Sequence, residues 1–92
     1  MELTRDKLFE IDLEKTKKYM KMKLYEHRNK DTWEKETIGR LFELLKQEVN
    51  ELEVEVKIDK NNHEEILKES ADVANFAMMI IGNITRRNKW II

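Results

Sequence analysis

Two acidic pairs offer the clearest chemistry in this chain. Glu48 and Glu51 are three residues apart, and so are Glu69 and Asp72. On a helix that spacing puts both members of a pair on one face, a turn apart. Asp31 and Glu34 share it, and 19 acids among 92 residues produce such pairs by chance. Position separates the first two pairs from the rest. Leu41, Leu45, Glu48 and Leu52 fall in one helical row, so Glu48 points where a core side chain would point. Glu51 sits one turn on, near the same edge. Glu69, Asp72, Phe76 and Ile80 form a similar row, and Asp72 opens the most apolar stretch of the chain.

Most acids on amphipathic helices are solvated, and that reading fits each of the four taken alone. Four converging between two helices are a different matter. A carboxylate buried without compensation is costly, and neighbouring carboxylates repel. The inner rows contain almost no Lys or Arg, so the expected compensation is a hard divalent cation. Mg2+ takes oxygen ligands and commonly bridges carboxylates to phosphates, and Mn2+ accepts the same donors.

Other chemistries fail on composition or spacing. There is no Cys, hence no thiolate zinc site and no thiol nucleophile. A di-iron bundle needs Glu-x-x-His, but Leu24 and Lys60 stand three residues before His27 and His63. No Gly-rich phosphate loop is present, and Ser70 is the only serine.

The elements that must position the acids are helices. With no Pro and two Gly, the chain lacks the turn residues of an all-β fold. Three helical segments are predicted, near Thr4–Arg28, Trp33–Lys57 and His63–Arg87. Thr4 is a candidate N-cap of the first, which reads as amphipathic and partly buried. The second carries the stripe Ile38, Leu41, Phe42, Leu45, Val49, Leu52 and Val56, interrupted by Gly39. Asn29–Thr32 and Asp59–Asn62 read as connections, and Asn61 or Asn62 has capping-box spacing to Glu64 or Glu65. From Ala71 to Ile81 the third helix is apolar all round, which predicts burial on every side. Two neighbouring helices cannot cover it. The expected fold class is therefore all-α: one domain over residues 1–92, a three-helix protomer completing a helical bundle by homo-oligomerisation, as dimer or tetramer. Gly82 would allow close approach of a neighbour, and Trp90-Ile91-Ile92 is a second apolar patch.

The acids and their surroundings resemble a known family. Glu48-Val49-Asn50-Glu51 followed by Glu69-Ser70-Ala71-Asp72 is similar to the E-x-x-E and E-x-x-D motifs of the MazG-like all-α nucleoside triphosphate pyrophosphohydrolases. Asp72-Val73-Ala74-Asn75-Phe76-Ala77-Met78-Met79-Ile80 resembles their phage and archaeal branch, as do Lys23-Leu24, Lys30 and Trp33. The likeness runs from Lys23 to Asn83. It implies Mg2+-dependent cleavage of a ribo- or deoxyribonucleoside triphosphate to monophosphate and pyrophosphate. Glu48, Glu51, Glu69 and Asp72 would bind the metal, with Glu48 or Glu51 positioning the attacking water or accepting its proton. Lys30 would neutralise phosphate charge, Trp33 would stack on a base, and Asn75 would face the same cleft. Arg86 and Arg87 are weaker phosphate candidates, since basic residues are usual near a helix end. The chain departs from the family at Gln47, where many relatives have Glu, and at Asn29 and Asp31, which bear on base selection.

Charge narrows the partners. With 18 basic and 19 acidic residues the net charge is -1, against the positive excess of most phosphate-backbone binders, so no nucleic-acid partner is expected. The apolar run Phe76–Gly82 is far short of the roughly 20 residues of a membrane span, and no signal peptide is visible, so a cytoplasmic location without membrane contact is expected. The rival class is a non-catalytic helical interaction module, or a family member that binds nucleotide as a sensor.

Overall fold

The computed structural model describes residues 3–26 and 33–88. Among these it is helical throughout: α1 (Arg5–Glu26), one 3-10 turn (Trp33–Lys35), α2 (Ile38–Ile58) and α3 (His63–Asn88). The expected all-α class and helix number hold. The first connection, with Lys30, and the Trp90-Ile91-Ile92 patch lie outside the described residues.

Side-chain caps set the boundaries. Thr4 Oγ1 accepts the Lys7 N–H at 3.2 Å and starts α1. The second helix begins at Ile38, not at Trp33. Thr37 has extended backbone, and its Oγ1 accepts the Arg40 N–H at 3.1 Å, so the helix cannot run back through it. The residues before it form a tighter turn, closed by Glu36 N–H to the Trp33 carbonyl at 3.0 Å. Gly39 thus lies in the first turn of α2, exposed and with open space around it. Asp59 closes α2, its N–H donating to the Glu55 carbonyl at 3.1 Å. Asn62 Oδ1 then accepts the Glu65 N–H at 3.4 Å and starts α3. So short a connection folds α2 and α3 into an antiparallel hairpin.

The central element is α3, which packs against α2, α1 and the 3-10 turn. Leu41, Ala71 and Met79 are the buried apolar residues among those described. On α2 the Leu41–Leu45–Leu52 row faces α3, while Phe42, Val49 and Val56 face outward. The stripe read from the sequence is wider than one neighbouring helix covers. Burial of α3 on every side is likewise not met within the protomer, where Ile81 is 64% exposed. The amphipathic reading of α1 does not hold: it has no buried residue, and Leu8, Phe9, Ile11 and Tyr25 are all exposed, so only its partial burial is as expected. The radius of gyration is 15.0 Å, against about 12 Å for a compact chain of this length. The protomer is an open slab. Gly82 meets a neighbour from its own helix, for a Cβ there would lie 3.1 Å from the Arg86 guanidinium.

Candidate functional site

The α2–α3 hairpin sets Glu48 and Glu51 opposite Glu69. One carboxylate oxygen from each of the three lies within 4.8 Å of the others. Glu48 Oε2 and Glu69 Oε2 are buried with no hydrogen-bond partner. Asp72, one turn beyond Glu69, stands close enough for its charge to act on both Glu48 and Glu69. All four acids read from the sequence therefore share one electrostatic neighbourhood, and three of them lie at ligand distance.

The crowding shows in their proton affinities. Burial, followed by a hydrogen bond shared with Glu51 and the charges of Asp72, Glu51 and Glu69, pushes the Glu48 carboxyl from an ordinary 4.5 up to about 7. Glu69 is raised too, by burial first, then by the charges of Glu51 and Asp72. The Lys23 ammonium works in the opposite direction on Glu69.

Lys23 corrects one expectation. The inner rows of α2 and α3 indeed lack basic residues, but α1 supplies one from the side. Its Nζ lies 3.0 Å from Glu26 Oε2 and 3.6 Å from Asp72 Oδ2. Burial disfavours this ammonium, yet Glu26 and Asp72 outweigh it and hold the Lys23 pKa above the usual lysine value. In sequence Lys23 enters only through the Lys23-Leu24 likeness, among several lysines in the second half of α1, and its contact with Asp72 follows from the placement of α1 on α3.

Of the remaining expected site residues, Lys30 lies outside the described residues, Asn75 is on α3 and Trp33 is in the 3-10 turn packed against α3. Asn75 is buried, and its Nδ2 donates to the Met20 carbonyl at 2.9 Å, joining α3 to α1. Trp33 is half-buried in the 3-10 turn, where its carbonyl accepts from Asn83 Nδ2 at 2.9 Å. Asn83 was not singled out from the sequence. It is 1% exposed, and also donates to the Glu36 carbonyl at 3.2 Å. The available signal was its place in the row Asp72, Asn75, Met79, Asn83, which repeats at helical spacing. Arg86 donates to Asn83 Oδ1, and Arg87 to the Glu36 carbonyl. At 1.5 Å rise per residue, Asn83 is about 16 Å and Arg86 about 21 Å along the axis from Asp72. The structure thus brings together the four acids and Lys23, with Asn75 one turn away. The Trp33–Asn83–Arg86 group sits further along α3.

A separate cleft of about 370 Å³ lies between α1 and α3, lined in part by Lys15, Tyr19, Leu67 and Ser70. None of the four acids lines it.

Glu48, Glu51 and Glu69 could hold a hard cation, although Glu51 is exposed. The donors would be carboxylate oxygens, from residues of which two also carry a buried oxygen without a hydrogen-bond partner, and protonation or a cation is what relieves such a cluster. No family model, curated protein or solved structure matches this chain.

Proposed function

We propose that the protein is a cytoplasmic, Mg2+-dependent nucleoside triphosphate pyrophosphohydrolase of the MazG-like kind. The observation that carries this reading is the convergence of Glu48, Glu51 and Glu69 from two helices, two of them with a buried oxygen that has no hydrogen-bond partner. Glu48, Glu51, Glu69 and Asp72 would hold the metal, with Mn2+ as a substitute. These few oxygens leave positions of a six-coordinate shell to water or phosphate. When bound, the cation supplies neutralisation of phosphate charge and acidification of water.

The chain's own acids do the rest. Glu48 or Glu51 accepts the proton of the water that attacks the α-phosphorus. The new bond is that water's oxygen to phosphorus, and the bond broken joins the α-phosphorus to the bridging oxygen. Pyrophosphate leaves. Lys30 and Trp33 keep their proposed roles toward phosphate and base. We further propose that protomers pair, since Phe42, Val49, Val56 and Ile81 are apolar and exposed on the hairpin. Among the described residues no helix is long and apolar enough to cross a membrane.

The test is a panel of ribo- and deoxyribonucleoside triphosphates assayed for pyrophosphate release with MgCl2, for the wild type and Glu48→Gln. Release by the wild type, lost in the variant at unchanged helicity, supports the reading. No release from any triphosphate, or full activity of the variant, overturns it. The same exposed apolar side chains favour a second reading, a helical interaction or nucleotide-sensing module. Such a sensor would gain melting temperature from Mg2+ and a non-hydrolysable triphosphate without turnover, and a bare scaffold would show neither.

A further inference from the structure

Lys23 differs from the surface lysines of α1. Lys17 pairs with Glu14 within its own helix and is 50% exposed; Lys23 makes a like pair with Glu26 at 3.0 Å but does not stop there. The Lys23 side chain is 16% exposed and reaches across to Asp72, itself 14% exposed. Withdrawing an ammonium from water is unfavourable, and a surface pair would not require it. The contact is also held in place. The bond from Asn75 to the Met20 carbonyl lies one helical turn from both members of the pair and fixes how α1 sits on α3.

The geometry points to Lys23 as a resident cation of the acidic site, which neutralises Asp72 in the metal-free protein and transfers its charge to the phosphates of the substrate in the loaded one. This rests on the metal-site reading above. A divalent ion drawn to Asp72 meets an ammonium 3.6 Å from the same carboxylate, and like charges at that range repel. Lys23 has a flexible four-carbon stem and three rotatable donors, so its head can turn while the stem stays packed. Glu26 Oε2, 3.0 Å away on its own helix, stays within reach as the head turns, and a triphosphate that brings several negative charges into the space beside the acids gives the ammonium a second partner in place of Asp72. Lys23 is thus a phosphate-binding group that also opposes metal binding when no substrate is present.

These two roles shift two binding constants in opposite directions. Calorimetric titration of the 92-residue chain uses Mn2+ alone, then an α,β-imido triphosphate with saturating Mg2+. Relative to wild type, Lys23→Met is expected to bind Mn2+ several-fold more tightly and the analogue about tenfold more weakly. Lys23→Arg keeps the charge and is expected to hold the analogue within a few-fold of wild type. The inference is overturned if Lys23→Met changes neither constant, or if it weakens both, the mark of a packing role. It is overturned as well if Lys23→Arg loses the analogue as fully as any folding-deficient variant. Failure of the wild type to bind Mn2+ at all is a different result: it removes the metal site itself and this inference with it.

Discussion

Glu48 is a carboxyl that the fold holds in a place hostile to its charge, and the hostility is measurable without any enzyme assay. In the metal-free protein its carboxyl sits at about 7, against an ordinary 4.5. The folded state then binds this proton more tightly than the unfolded chain does. Stability is unaffected by Glu48 below the unfolded value and is lost as pH rises toward the folded one. At 1.36 kcal/mol per pH unit the full rise corresponds to about 3 kcal/mol. The side chain is only partly buried, and solvent screening reduces that to on the order of 1 kcal/mol. Glu48→Gln mimics the protonated acid at nearly the same size, so it should remove the penalty. For a domain of this length 1 kcal/mol moves the melting temperature by about 4–8 °C. Melting followed by circular dichroism in chelator is therefore expected to place the variant above wild type by about that amount near pH 8, and level with it near pH 4. A variant less stable than wild type at the higher pH, or a difference that does not depend on pH, would refute the placement of Glu48 among the other acids.

Three further outcomes follow from the same contacts. Adding MgCl2 near pH 8 is expected to raise the melting temperature of wild type more than that of Glu48→Gln, because a ligand that binds the folded state stabilises it; equal responses would count against the cation site. Asn83→Ala removes the donor to the Trp33 and Glu36 carbonyls and the acceptor of Arg86, and should cost about 2–3 kcal/mol in urea unfolding. Val49→Glu places a charge on the exposed face of α2, and is expected to lower the solution mass measured by light scattering if protomers pair through that face, at little cost to helicity.

Much of the fold was legible in the chain because helices are local. The absence of Pro, the Thr4 cap, the capping-box spacing at Asn61 or Asn62 and the apolar rows were enough for three helices, with the starts of α1 and α3 close to those observed. The start of α2 was not, because the polar residues between Trp33 and Ile38 carry no apolar pattern to mark a boundary, and the Thr37 hydroxyl, a single side-chain acceptor, sets it. Glu48 was legible for the same local reason, as an acid standing in an apolar row.

What sequence alone determined about the site is the identity of its acids and the faces they occupy, since residue spacing along a helix dictates direction. Tertiary structure decided how those faces meet. It drew Glu48, Glu51 and Glu69 within 4.8 Å, left Asp72 paired with Lys23, and tied Asn75 and Asn83 to backbone carbonyls of other elements. Lys23 and Asp72 are far apart in the chain, and no periodicity within either helix encodes the packing of α1 on α3. Nor does it encode which part of a wide apolar stripe one neighbour covers, which is why Phe42, Val49 and Val56 remain exposed.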